Sequence, residues 1–458
     1  MRKGEDVRIG VIGSGISGLG AAWLLSGAHE VDVIEGGDHL GGHANTVDVH
    51  VDGQDIAVDT GFMVFNERTY PNLVGMFKTL GVTTQKTTMS FGVQCGEEDL
   101  EWSSRNLVGV FAQPENALRG GLWRMVYDIA RLSASADTLL ADPSTSDLTL
   151  GELLEREGYG GGFIEWYLVP MAAAIWSAPP GKILDFPAQA FLQFCENHGL
   201  LHITGKPTWR SVVHGARTYV ERLTAGISGD VRLGLTATRV SRSADGPLVE
   251  LSDGSSSRYD ALVLACHSDE ALALLADPSP EEQAILGAVT YQSNHVVLHT
   301  DESFLPRRRL ARAAWNYYAA ECTLDAEALS VTYDLTRLQN LPVKIPVMVT
   351  VNPPHEPRAD LLLRTFSYAH PVFTRASMDA QLRVPEIQGV RDTWYCGAWQ
   401  RYGFHEDGLF SAVRMVEQFG IRPPWAGQTE SETSPAPVPW LRPQAARPGL
   451  GGAGAGLA

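Results

Sequence analysis

The 458-residue chain contains no run of about 18 uninterrupted apolar residues, so its sequence offers no helix long enough to span a bilayer. The nearest approach, residues 163–180, is broken by Glu165 and Pro170. An apolar signal region is also missing, because the chain begins Met-Arg-Lys-Gly-Glu-Asp and enters a strand pattern at once. Cysteine is scarce. Its five residues, Cys95, Cys195, Cys266, Cys322 and Cys396, lie far apart, and none forms a C-x-x-C or other metal-ligand spacing. That pattern predicts reduced thiols, no metal site and a cytoplasmic location. Positive charge is short as well. Lys plus Arg number 36 against 53 Asp plus Glu, a net charge of −17, which disfavours nucleic acid as a partner. Solenoid-type repeats are absent.

What is present is a globular composition, 44% apolar and 19% charged, in a length that predicts more than one structural unit. Residues 7–12 are rich in Val and Ile and suit a buried parallel strand. Residues 13–18 break it, 19–25 read as a helix and 30–35 as a second strand, completing a βαβ unit. Strands are also expected at 231–242 and 248–251, joined by the Asp245-Gly246 turn, and at 259–266. The middle of the chain reads differently. A hairpin is expected from 91–94 and 100–103, helices at 116–140, 150–157 and 163–176, and strands of another sheet at 289–299 and 346–351. Beyond Gly420 the composition turns to Pro, Gly, Ala and Ser, and residues 423–458, above all 428–458, are expected to be a disordered tail.

The first chemical signal is Gly13-Ser14-Gly15-Ile16-Ser17-Gly18, placed after a strand and opening a helix. Gly13 permits the tight turn, Gly15 lets the backbone approach a pyrophosphate, and Gly18 lets helix and strand pack closely. The helix start offers unpaired N–H groups to phosphates. Glu35 closes the second strand, where its carboxylate can accept hydrogen bonds from ribose hydroxyls. A second glycine turn follows at Gly41-Gly42-His43, then Asp59-Thr60-Gly61-Phe62. Far along the chain stand Gly397, at the end of a strand pattern, and His405-Glu406-Asp407-Gly408-Leu409, opening a helical pattern.

In this order the segments resemble the extended FAD signature of the flavin amine oxidase and phytoene desaturase superfamily. The usual residue after the double glycine is Arg; here it is His43. The segment led by His214-Gly215-Ala216 resembles the glycine-led helix of the middle FAD segment, with His214 in place of a glycine, and Thr238-Arg239-Val240 resembles the strand whose valine backbone meets the adenine. Further strings, including Tyr70-Pro71-Asn72, Ala174-Ile175-Trp176-Ser177 and Asn197-His198-Gly199-Leu200, are similar to a bacterial group of NAD/FAD-binding flavoproteins often linked with cyclopropane and other modified fatty-acid genes. The resemblance implies FAD as cofactor. It implies a cofactor set of Gly13, Gly15, Ile16, Ser17, Gly18, Glu35, Gly41, Gly42, His43, Asp59, Thr60, Gly61, Phe62, Val240, Gly397, Asp407, Gly408 and Leu409.

His405 is the leading catalytic candidate. It matches an aromatic-cage position of amine-oxidising relatives, and an imidazole there could take a proton, orient a substrate or simply bond the backbone. Asp407 suits a helix cap or a cofactor contact. His198 suits a structural role at a helix end or the lining of a substrate cavity, and His267 should sit on the adenosine side. Lys344 is a candidate for the lysine that many amine oxidases place near the flavin, or a solvated surface lysine. Residues 163–176 suit either a buried core helix or the wall of a pocket for a long apolar substrate. Arg307-Arg308-Arg309 suits a solvated loop, or one that attracts a carboxylate or an anionic lipid surface in peripheral contact.

The expected fold is α/β. A Rossmann-type, glutathione-reductase-like FAD-binding domain is assembled discontinuously from 1–70, 205–290 and 385–422, beside an α+β substrate domain of 71–204 and 291–384. The expected activity is FAD-dependent hydride removal from a C–H of an apolar, lipid or acyl-chain small molecule. Amine oxidation, flavin-dependent isomerisation and non-catalytic dinucleotide binding are the alternatives. The oligomeric state is not legible.

Overall fold

The computed structural model describes residues 7–176, 180–201, 207–324 and 330–427. Ser177 of the Ala174–Ser177 string and residues 428–458 of the expected tail lie outside the described residues.

Arg8–Ile12 and Glu30–Glu35 form the expected strands, with Ile16–Leu25 as the helix between them. The first reads as a continuous apolar run from Ile9 because it sits inside a parallel sheet covered on both faces, and the second is apolar but for the buried Asp32, which accepts from the Arg8 guanidinium at 2.6 Å. The sheet has five strands in the order Val231–Leu233, Glu30–Glu35, Arg8–Ile12, Ala261–Leu264, Thr393–Tyr395, and every pair is parallel. Three distant chain segments therefore complete one sheet. On one face Val11 and Val33 pack with Leu19, Tyr219 and Leu409 of the covering helices. On the other, Ile12 and Leu264 pack with Val240 and Val249 of the meander Ala237–Ser243, Gly246–Leu251, Ser256–Arg258.

A second unit is built on a seven-stranded sheet. Its order is Leu362–Val372, Thr290–His299, Met348–Val351, Ser330–Asp334, Trp315–Ala319, Phe91–Cys95, Leu100–Ser103. Pairing is antiparallel except between Trp315–Ala319 and Phe91–Cys95. Helices including Gly120–Ala141, Val169–Trp176 and Ala188–Asn197 share a core with it, centred on Trp102, Phe163, Phe191 and Phe194.

Three expectations are corrected. The helix Pro71–Leu80, placed by sequence in the substrate domain, buries Leu73, Met76 and Phe77 in the core of the first unit. The tail does not begin at 423: Trp425 is fully buried, stacks with Trp23 at 6.3 Å and donates its indole N–H to Asn72 Oδ1 at 3.1 Å. The cysteines are not all reduced, because Cys95 and Cys322 form a disulfide across a sequence separation of 227. Cys95 ends a strand paired with Ala319, so a short turn carries Cys322 back beside it. Spacing along the chain cannot reveal that register.

The stretch 163–176 is helical as expected but not regular, since Ile164–Leu168 is a π-turn. Pro170 supplies the reason. It has no N–H for the carbonyl of Trp166, four residues earlier, and that carbonyl instead accepts the indole N–H of Trp102 at 3.1 Å. No helix of the described residues is long and apolar enough to cross a membrane.

Candidate cofactor and active site

The site forms at the carboxyl edge of the parallel sheet. Gly13 has φ +101°, and a Cβ there would stand 2.8 Å from the carbonyl oxygen of Ala265, which follows the neighbouring strand. A Cβ on Gly18 would meet the Gly13 oxygen at 1.9 Å, so helix and strand could not approach as they do. Gly15 differs: nothing lies within 4 Å of its Cβ position. That open space fronts the start of the Ile16–Leu25 helix, which has no side-chain cap and no acid in its first turn. First-turn N–H groups left this way make a cradle for phosphate oxygens.

Glu35 lies beside the cradle. One carboxylate oxygen accepts from the Ser14 N–H at 2.9 Å and the Ser14 hydroxyl at 2.6 Å, and the other accepts from the Gly37 N–H at 2.7 Å. The second glycine turn is carried to the same place. Gly41 N–H donates to the Ser14 carbonyl at 3.0 Å, and Gly42, at φ +57°, would bring a Cβ to 3.2 Å from Gly15 Cα. The third glycine, Gly408, abuts the same helix start, its Cβ position 2.8 Å from both Ile16 Cγ2 and Ser17 Oγ. Gly397 leaves the last strand of the sheet and donates its N–H to Ser411 Oγ at 2.8 Å. Gly61 is forced by closeness to His43, whose carbonyl oxygen would be 2.3 Å from a Cβ and accepts the Phe62 N–H at 2.7 Å. His214 takes φ +66°, a left-handed conformation suited to the glycine of relatives.

Several expected cofactor residues also hold the fold together. Val240 makes a parallel bridge with Leu275 and its carbonyl accepts the Ala276 N–H, so its backbone is occupied by the fold. The Leu409 side chain is fully buried against Gly20 and serves helix packing. Asp59 is buried and accepts from the Thr46 hydroxyl and the Ala216 N–H at 2.8 Å, tying two segments together from behind the turn. Burial raises its carboxyl to about 6. Thr60 bonds the Asn45 carbonyl and the Tyr368 hydroxyl, the latter at 2.7 Å. Asp407 caps its helix, accepting the Phe404 N–H at 3.0 Å, with the Arg401 guanidinium 3.4 Å away.

His405 is pinned. Its Nε2 is 2.6 Å from the Tyr219 hydroxyl, and its ring stacks on Phe62 at 3.9 Å. Burial lowers its pKa to about 3, so the ring is neutral at physiological pH. His198 ends its helix, bonding the Phe194 carbonyl and stacking on that ring at 4.0 Å, a structural role. His267 stacks on Tyr291 at 4.2 Å. Lys344 is exposed, as are Lys78, Lys86 and Lys182.

Sequence reasoning missed a cluster facing the second glycine turn. The His43 ring lies 5.0 Å from that of Tyr368 and 5.4 Å from that of His370, and His370 Nδ1 is 3.3 Å from Asn294. Burial lowers His43 to about 3 and His370 to about 4. His43 Nε2 is buried without a hydrogen-bond partner among the described residues. The only signal was the period-2 alternation of Leu362–Val372, which sets Tyr368 and His370 on one side. Glu406 was missed too; it accepts from the Asn72 N–H and side chain and the Leu73 N–H, closing the start of the Pro71–Leu80 helix.

Residues 16–334 match the family described as flavin containing amine oxidoreductase. The chain belongs to that family. It is therefore an FAD-dependent oxidoreductase, and the uncapped helix start, the open space at Gly15 and the unpartnered His43 Nε2 fit an extended dinucleotide. Solved structures share the fold at low identity. A CLA-producing fatty acid isomerase from P. acnes is 15% identical with a TM-score of 0.64, over 91% of this chain and 99% of that one. Cyclohexylamine oxidase from Brevibacterium oxydans IH-35A is 15% identical with a TM-score of 0.62, over 91% and 100%. Putrescine oxidase, bound to putrescine, is 13% identical with a TM-score of 0.64, over 90% and 99%. No curated protein matches significantly.

Proposed function

We propose that the enzyme removes a hydride from a C–H of an apolar acyl-chain substrate. The observation that carries this reading is a run of aromatic rings ending beside the candidate site. Trp176 lies 4.7 Å from Phe194, and Phe194 lies 5.1 Å from Phe404, the residue before His405. Trp176 and Phe194 are core residues, and the partly exposed Phe404 carries their apolar surface to the site, which suits a hydrocarbon chain. FAD supplies the two-electron acceptor. The chain's own groups orient and exclude water. Gly15 leaves room for the dinucleotide, Gly13, Gly18 and Gly42 let the surrounding backbone close up around that space, and Glu35 is placed for its ribose. The neutral His43 offers one hydrogen bond at Nε2 toward the cofactor. His405, neutral and bonded to Tyr219, positions rather than exchanges a proton. Hydride removal to FAD together with release of a proton from the adjacent carbon to bulk water would balance a desaturation.

The fatty acid isomerase among the fold neighbours agrees with an acyl substrate, and isomerisation is the same site used without net oxidation. The putrescine and cyclohexylamine oxidases keep amine oxidation as the second reading. Against it, all four described lysines are exposed, so none stands in the oxygen-activating place that the resemblance calls for. The cytoplasmic location expected from five reduced thiols loses that support with the Cys95–Cys322 bond. The test is an anaerobic spectral titration with fatty acyl compounds, polyprenyl lipids and amines. Bleaching of the flavin by acyl compounds alone is expected. Bleaching by amines, with peroxide formed on admitting air, would replace this reading with the second.

A further inference from the structure

We propose that one corner of the substrate-side unit docks on a lipid bilayer bearing acidic headgroups. Ten large hydrophobic side chains of the described residues are exposed, and six of them, Leu107, Val108, Leu118, Trp123, Tyr127 and Leu310, gather here. Leu107 is 76% exposed, Leu118 89% and Trp123 52%, so these are protruding tips rather than half-covered core. Scattered singly they would need no account, but a contiguous group marks an interaction surface.

The contacts between segments establish the grouping. The Leu107–Val110 turn is fixed by the Asn106 side chain, which accepts the Gly109 N–H at 2.8 Å. Gly109 in turn abuts the Leu310 carbonyl, 3.5 Å from its Cβ position. Phe111 joins that turn to the long helix, its ring 5.0 Å from that of Trp123. The Trp123 N–H donates to the Ala117 carbonyl at 3.0 Å, which satisfies the polar atom and leaves the ring outward. Tyr127 is one turn further on. Exposed Trp and Tyr beside aliphatic tips are the side chains that favour the headgroup boundary.

Charge selects the kind of surface. Arg307 and Arg308 are paired with Asp99 and Glu101, and Arg312 with Glu302. Arg105 and Arg309, which flank Leu107 and Leu310, are exposed, and their guanidinium groups make no ion pair or hydrogen bond to a described residue, the Arg309 backbone carbonyl alone accepting the Arg312 N–H. On a chain of net charge −17, two uncommitted guanidinium groups at the edge of an apolar corner suit phosphate headgroups. A second copy fits less well, because a two-fold contact would bring both copies' free arginines together. The surface is separate from the cofactor cradle, and the proposal does not depend on which substrate the enzyme takes.

The test is sedimentation of the holoenzyme with phosphatidylcholine vesicles, with and without phosphatidylglycerol. Binding to the phosphatidylglycerol vesicles, weakened by salt, is expected. Leu107→Ser/Leu118→Ser should lower partitioning by about tenfold or more, with flavin absorbance and melting temperature kept. Arg105→Gln/Arg309→Gln should weaken binding and reduce its salt dependence. Quenching of tryptophan emission by brominated acyl chains tests the parent protein without any variant. Parent protein left in the supernatant, or variants that sediment as it does, would overturn the proposal. So would a concentration-dependent dimer that the serine variants dissociate, which would assign the corner to a second copy.

Discussion

His405 Nε2 and the Tyr219 hydroxyl are 2.6 Å apart, which fixes an imidazole already held flat against Phe62. A neutral, bonded ring has little capacity to carry a proton in turnover. His405→Asn should therefore slow flavin reduction without moving its pH profile between about pH 5 and 9. Loss of an ionisation from that profile would restore an acid–base role. Tyr219→Phe should cost about 1–3 kcal/mol, read as a lower melting temperature, because it leaves a buried ring nitrogen without its partner.

Gly15 and Gly18 have the same side chain and opposite reasons for it. With open space around the Cβ position of Gly15, Gly15→Ala should fold with a nearly unchanged apoprotein melting temperature and hold FAD more weakly. With a carbonyl oxygen 1.9 Å away, Gly18→Ala should destabilise the fold by several kcal/mol, on the order of an overpacked core. Melting of both apoproteins and titration with FAD separate the two effects. Equal losses in both would refute the assignment of the Gly15 space to the dinucleotide.

Non-reducing peptide mapping should recover Cys95 and Cys322 as one cross-linked pair. Cys195 and Cys396, both buried, should resist alkylation until the protein unfolds. Cys95→Ser/Cys322→Ser should lose about 2–4 kcal/mol of stability. A free Cys95 in the untreated protein would contradict the bond.

Stability should fall on acidification below about pH 6.5. Burial depresses His43, His198, His299, His370 and His405 to about 3 or 4, so each takes up a proton on unfolding in that window. Their contribution is complete above the unfolded histidine value and is lost as pH drops toward the folded values. Asp59, raised to about 6, and Glu406, raised to about 7, act oppositely, since the folded form holds their protons more tightly. Burial raises Glu165, Asp334 and Asp407 as well, so the fall near pH 5 should be smaller than the five imidazoles alone would give. Denaturant melts across pH 4–7 measure it, and a flat profile would show the imidazoles are not desolvated as described.

The dinucleotide half was legible because its signals are local. A strand, a glycine turn and a helix follow one another within residues 8–25, and Glu35 ends the next strand. The hairpin of Phe91–Cys95 and Leu100–Ser103 was legible for the same reason. The Tyr368, His370 and His43 cluster was not, because it exists only through the long antiparallel pairing of Thr290–His299 with Leu362–Val372. Composition misled at the end of the chain, where Pro423 and Pro424 read as tail although Trp425 fills the space beside Gly75, whose Cβ position is 2.5 Å from that indole. The packing roles of Leu409 and Val240 were not legible for a common reason. Sequence position marks the segment near a cofactor, while the side-chain direction and backbone pairing that decide contact are set by neighbours far away.

The five-stranded sheet has a consequence for synthesis. Its outermost strand, Thr393–Tyr395, pairs directly with Ala261–Leu264, and Gly397 and Gly408 follow it. A ribosome moving at about 5–20 residues per second needs roughly 20 to 80 seconds to travel from the first glycine turn to that strand. Throughout that interval the nascent chain exposes an unfinished sheet edge, so the vitamin-derived ligand can be locked in only after translation is nearly over, and a message truncated before codon 393 should yield a product that chaperones hold or proteases clear.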